Sequence, residues 1–122
     1  MRRNMDLVRN IAFAVEEAPD EFQSINLKFE GFTDDQIGYH VELMFESELL
    51  LGYDVTVMTS QFKEFVIRRL TSKGHDFVDA ARNPTVWSNA TRIVKEKVGG
   101  VTIDVMIQVL KAQAIQLLGL AS

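Results

Sequence analysis

Residues 33–52 read TDDQIGYHVELMFESELLLG, and the folding of that stretch decides the rest of the chain. Thr33 is a residue type that caps helices, and Asp34 and Asp35 follow where negative charge favours a helix start. Ile37, Val41, Met44, Phe45 and Leu49 then recur at three-and-four spacing, which predicts one apolar helical face. Gly52 closes the run. Beyond it Asp54, Val55, Thr56 and Val57 alternate polar and apolar, the period of a strand. The predicted helix carries Asp34, Asp35, Glu42, Glu46 and Glu48 and no Lys or Arg.

Upstream, Leu7, Val8, Ile11, Ala14 and Val15 share a face and predict a helix over Asp6–Glu17, ended before Pro19. INLKFE at residues 25–30 alternates and predicts a short strand, with only Gly31 and Phe32 between it and Thr33. Downstream, Thr59–Gln61 predicts a turn, and Phe65–Leu70 (FVIRRL) a third strand that closes a hairpin. Thr71 or Ser72 caps the next helix, whose buried side is Phe77, Val78 and Ala81. Asn83-Pro84 breaks it, because the residue before a proline is pushed out of the helical region. A further helix is predicted from near Thr85 to about Val98, with Gly99-Gly100 as its terminator. Thr102 then caps a last helix whose apolar face is Ile103, Met106, Ile107, Leu110, Ala114, Leu117 and Leu118, broadened by Val105 and Val109. The order predicts an α+β chain, mostly α, in one domain over residues 1–122. Its core spans residues 5–82, and a helical extension spans residues 84–120.

At 122 residues the chain can bury roughly two thirds of its unfolded surface. Hydrophobic residues at 47% and charged residues at 25% exclude intrinsic disorder as the natural reading. The absence of cysteine removes disulfides, thiolate metal sites and thiol catalysis, and fits a reducing cytoplasm. The basic start MRRNMDLVRN lacks the apolar run and cleavage site of a secretory signal. Asp104, Lys111 and several glutamines interrupt the apolar C-terminal run, which therefore predicts an amphipathic helix and no membrane span. The net charge of -4 is unevenly placed: residues 1–60 hold four basic against twelve acidic side chains, residues 61–122 nine against five. An anion-facing surface is to be sought in the second half.

No chemistry of catalysis emerges from the pattern. His40 and His75 are the only histidines, have no clustered partners, and read as partly buried helix residues rather than metal ligands. Asp34-Asp35 reads as a helix start rather than a metal pair, and Asn89-Ala90-Thr91 has no secretory context for glycosylation. No nucleophile, base and orienting group form a set, and no cofactor is expected. Lys63, Arg68, Arg69 and Lys73 form the one basic grouping, although alternation along a strand sends Arg68 and Arg69 to opposite faces.

IGYHVELMFESELLLG and RRLTSKGHDFVDAAR resemble the recognition-helix region and post-wing helix of small bacterial winged-helix regulators. The whole chain is similar to a family of short hypothetical proteins common in phages and prophages. The shared features are Met5-Asp6-Leu7, Gly38-Tyr39-His40-Val41, Leu70-Thr71 with Gly74-His75, Asp79-Ala80, Val86-Trp87 and Gly100-Val101-Thr102. The resemblance implies a winged-helix-like core (helix, strand, helix, two-stranded wing, helix) with two additional C-terminal helices, and a phage or prophage origin. It implies no established activity. Two functions follow as expectations, a DNA-binding regulator ranked first by analogy and an interaction module as the alternative. In a DNA-binding regulator, Gln36, Tyr39 and His40 would read the major groove of double-stranded DNA, and Lys63, Arg68, Arg69 and Lys73 would hold phosphates. In a protein-interaction module on the same scaffold, the acidic helix would face a basic partner. The missing supporting helix before Thr33 and the five carboxylates depart from the regulator pattern. The broad last helix predicts a homodimer through Val105, Met106, Val109, Leu110 and Leu117.

Overall fold

Asn4 opens the first helix: its side chain accepts the Leu7 amide at 3.1 Å, and α1 runs Met5–Glu17. The computed structural model describes residues 1–97 and 102–118, with the side chains of Glu96, Lys97 and Leu118 excepted. After α1 come β1 (Phe22–Gln23), a single 3-10 turn (Ser24–Asn26), α2 (Asp34–Glu46), β2 (Leu50–Asp54) and β3 (Phe65–Leu70). Helices α3 (Ser72–Ala81), α4 (Pro84–Lys97) and α5 (Ile103–Leu118) follow. The strands form one antiparallel sheet in the order β1-β3-β2, which with α1, α2 and α3 makes a winged-helix-like arrangement. The predicted Gly99-Gly100 terminator, Val98, Val101, Gly119 and Leu120 lie outside the described residues.

The chain divides into two compact units, Met1–His75 and Asp76–Ser122. In the first unit the buried apolar residues include Leu7, Val8 and Ile11 of α1, Ile37, Val41 and Met44 of α2, and Phe65, Ile67 and Leu70 of β3. In the second they include Phe77, Val78, Trp87, Ala90, Val94, Met106 and Leu110, with the Phe77 and Trp87 rings edge to face at 6.1 Å. Asn83 caps α4 by accepting the Thr85 and Val86 amides, and Pro84 takes the first helical position, where its missing N–H costs nothing. Thr102 caps α5 through the Val105 amide.

The strand predicted at residues 25–30 is absent, and the reason is one hydroxyl. Phe22 and Gln23 pair with Ile67 and Val66, but the next ladder position is taken by a side chain: Ser24 Oγ accepts the Phe65 amide at 2.9 Å. The chain then tightens, with the Leu27 amide returning to the Ser24 carbonyl. Ile25 is exposed and Leu27 alone of that stretch is buried, so its alternation belongs to an anchored loop. This one turn occupies the chain position of the missing supporting helix.

The second strand also begins earlier than predicted, at Leu50, because α2 ends by a tight reversal. Glu48 takes a left-handed φ of 62°, its amide bonds the Phe45 carbonyl, and the Leu49 amide bonds the Met44 carbonyl. This is a Schellman end built without glycine. Leu49 therefore follows the helix rather than extending its face, and enters the core directly. Gly52 sits inside the strand, at a register shift, and Val55 and Val57 belong to the wing connection. The reversal is locked to β3 and α3: Thr71 donates its hydroxyl to the Glu48 carbonyl and its amide to the Leu49 carbonyl. The Thr71 hydroxyl also caps α3 by accepting the Gly74 amide, and a Cβ on Gly74 would collide with the Leu49 carbonyl oxygen.

Glu48→Gly removes the left-handed strain of a side chain and is expected to raise stability by about 1 kcal/mol. Gly74→Ala forces the lock apart and is expected to lower it by about 1–3 kcal/mol. Urea midpoints of the two variants against the parent check both signs.

Candidate functional site

The surface around α2 and the wing collects the acidic charge. Residues 33–64 hold seven carboxylates and one basic side chain, Lys63. Thr33 and Gln36 form a capping box: the Gln36 amide bonds Thr33 Oγ1 at 3.1 Å, and Gln36 Oε1 accepts the Thr33 amide at 2.8 Å. On the wing, the Thr56 hydroxyl both donates to the Glu64 carbonyl and accepts the Glu64 amide, while Ser60 bonds the Val57 amide and the Glu64 carboxylate. These side-chain bonds shape the ten-residue connection that polar alternation alone misplaces. Lys63 lies on this rim with Glu42 Oε2 at 3.3 Å and Asp54 Oδ2 at 3.7 Å. The Glu42 hydrogen bond and the two nearby carboxylates hold the Lys63 ammonium above its ordinary value. The Thr56 hydrogen bonds, with help from Lys63, hold the Asp54 carboxyl below its own.

The three groups expected to read bases are placed differently from one another. His40 is 1% exposed. Its Nε2 accepts the Asn4 amide at 2.7 Å, and that fixes the proton on Nδ1, which donates to the Gln36 carbonyl at 2.7 Å. His40 therefore ties the start of α1 to α2 inside the first unit. Gln36 is half-buried, with its side-chain oxygen in the capping box, and Tyr39 is half-buried with its ring edge to that of His40 at 5.6 Å.

The basic residues of β3 hold a surprise for strand alternation. The ladder pairs Arg69 with Leu51 and Ile67 with Gly52, so Arg68 is the extra residue of a bulge. Both arginines consequently line one open cleft of about 570 Å³ in the first unit, with Val15, Glu16, Asp20 and Glu21 on its other wall and His75 beside them. This corrects the expectation of opposite faces. Arg69 donates to the Leu70 carbonyl at 2.8 Å, and Arg68 lies 4.0 Å from Glu21. His75 is exposed, unlike the partly buried residue predicted. Lys73, half-buried in the first turn of α3, stands close by in sequence. On α5, Met106 and Leu110 are fully buried, Val105 and Val109 half-buried and Leu117 exposed, and the Leu118 side chain lies outside the described residues. Among the described residues no three His, Cys, Asp or Glu side chains gather as metal ligands, and no helix is long and apolar enough to cross a membrane.

Residues 2–101 match the model of a family described as hypothetical protein (DUF2513). The chain belongs to this family. The DUF2513 chain is also 29% identical over 119 residues to an uncharacterized protein of Haemophilus influenzae, an alignment covering 97% of this chain and 99% of that one. No solved structure matches it. What sequence reading of this DUF2513 protein missed is the Asn4–His40 bridge. Its only signal was Asn4 itself, a capping residue type placed just before the first apolar face.

Burial holds the His40 imidazole below its ordinary value, against the opposing pull of the Gln36 carbonyl. Between that lowered value and about 6.5 the unfolded chain binds more protons than the folded one, so stability falls as pH drops through this window. Urea unfolding at pH 7.5 and 5.5 should show that loss. His40→Phe is expected to cost about 1–3 kcal/mol at pH 7.5 by leaving the Asn4 amide unsatisfied, and to flatten the pH dependence.

Proposed function

We propose that this DUF2513 protein is a non-enzymatic protein-interaction module on a winged-helix-like scaffold, whose acidic α2 and wing receive a basic partner. One observation carries the reading. Residues 33–64, which build the helix and wing that a winged helix turns to DNA, bear seven carboxylates against one lysine, and the lysines at this surface are already held, Lys63 by Glu42 and Asp54 and Lys28 by Asp34. Phosphate binding draws on unpaired positive charge, and such a surface repels a duplex. Two of the three groups that would read bases are engaged as well, His40 in the core and Gln36 in its helix cap. A phage or prophage origin and a cytoplasmic setting complete the proposal, supported by the shared motifs and by the absence of cysteine.

The second reading, a DNA-binding regulator, is favoured by the order of elements and by the bulge that gathers Arg68 and Arg69 in one cleft. Glu16, Asp20 and Glu21 on the facing wall count against it. Homodimerisation through α5 belongs to either reading. Its support is now the exposed Leu117 with Val105 and Val109, since Met106 and Leu110 are spent inside the second unit.

Titration into labelled mixed-sequence duplex DNA at low salt separates the two. The module should not bind at tens of micromolar, whereas even non-specific binders usually reach about 10⁻⁴ to 10⁻⁶ M at physiological salt. Salt-sensitive binding lost in Arg68→Glu with Arg69→Glu would establish the regulator instead. In parallel, an oligolysine peptide should bind the parent and lose about tenfold in affinity with Asp35→Lys and Glu46→Lys, but not with reversals at Glu16 and Asp20. For the dimer, sedimentation at high micromolar concentration should give twice the chain mass.

A further inference from the structure

β2 is an edge strand among the described residues: in the order β1-β3-β2 its one ladder there runs to β3. Its two sides differ in chemistry. On the outer face Leu51 and Tyr53 lie opposite Arg69 and Val66, and Tyr53 is 53% exposed. Further along the wing, Val57 and Met58 are exposed too. On the inner face lies α2. The Phe45 ring stacks on Phe65 at 5.0 Å, and a Cβ on Gly52 would strike the Phe45 ring, so the helix is drawn up beneath the strand. α2 also brings Glu42 to the same lysine that Asp54, the last residue of β2, engages. One ammonium thus serves two carboxylates on the α2 side of the hairpin, and Glu46 and Glu48 add two more exposed ones where α2 turns into β2.

We infer that the open edge of β2 docks an extended protein segment that alternates basic and apolar residues. A strand added about 4.8 Å from β2 sends successive side chains to opposite faces. Apolar residues would lie beside Leu51 and Tyr53, and the intervening basic ones would reach the carboxylates on the α2 side. Main-chain hydrogen bonds supply affinity in such strand addition, and the alternation supplies specificity. Leu50–Asp54 accommodates a segment of about the same length, five residues. A second copy of this chain does not fit, because its own β2, LLGYD, offers no basic residue to meet these carboxylates and adds a further one. The inference rests on the acidic-surface reading proposed above and names the partner class for that surface.

The probe is a synthetic octapeptide of alternating lysine and valine, with two controls of equal charge. One has four lysines followed by four valines, and the other is the alternating peptide N-methylated at every second residue. Affinities come from fluorescence anisotropy and location from ¹⁵N amide shifts on the full chain. The expected result is at least about tenfold tighter binding of the alternating peptide than of either control, with shifts centred on Leu51–Val55. Leu51→Lys with Tyr53→Lys, two exposed positions, should abolish that preference while leaving the far-ultraviolet circular dichroism unchanged. Equal binding of all three peptides overturns the edge inference and leaves the acidic surface standing. No binding of any peptide at millimolar concentration overturns both.

Discussion

The reversal at Ser47–Leu49 is the constraint on which the first unit depends. Helix α2 has to stop at Glu46 for Leu49 and Leu50 to enter the core, and it stops because Glu48 adopts a left-handed conformation that returns two amides to the Phe45 and Met44 carbonyls. The same turn presents the Glu48 and Leu49 carbonyls to Thr71, which caps α3 with the same hydroxyl that it donates to Glu48. One residue therefore joins the end of α2, the start of β2, the end of β3 and the start of α3. Because each bond uses a backbone group that would otherwise be an orphan at a helix or strand terminus, loosening any one of them exposes the others. The sheet register, with its bulge at Arg68 opposite Leu51 and Gly52, begins from this point.

How far the fold could be read depends on which kind of group decided each element. FVIRRL was legible because Phe65, Ile67 and Leu70 are buried and the rest of the strand is not. The start of α2 was legible because capping is local chemistry, and Thr33 with Gln36 makes the box. The breaks at Asn83-Pro84 and the cap at Thr102 were legible for the same reason. What failed were the elements decided at long range. Ser24 replaces a backbone acceptor for Phe65, forty-one residues away, and nothing in INLKFE announces that. Glu48 in a glycine-type conformation is likewise invisible, since it is held by Thr71 from across the sheet. Val57 looked like a strand residue and is an exposed residue of the wing.

The candidate site divides along the same line. Its charge was legible, because carboxylates on α2 and the wing are simply counted and no contact is needed to know their sign. The placement of the two arginines was not. Strict alternation separates neighbours on a strand, and a bulge cancels alternation at one point. The result is a cleft with Arg68 and Arg69 on one wall and three carboxylates on the other, which as a whole has no strong preference for an anion.

Polar side chains on a helix are ambiguous until their hydrogen bonds are counted. Gln36, Tyr39 and His40 have the donors and acceptors that base edges require, and on that chemistry alone they suit a reading helix. A group can read a ligand only with capacity that the fold has not used. His40 has two ring nitrogens and both are engaged, one by the Asn4 amide and one by the Gln36 carbonyl. The oxygen of Gln36 is engaged by Thr33, and the Tyr39 ring packs edge to face on His40. The chemistry that made this segment resemble a reader is, in the folded chain, what fastens α2 to α1 and starts the helix. The surface left to the partner proposed above is then the carboxylate rim with the exposed Leu51 and Tyr53 of β2, whose chemistry the fold itself does not use.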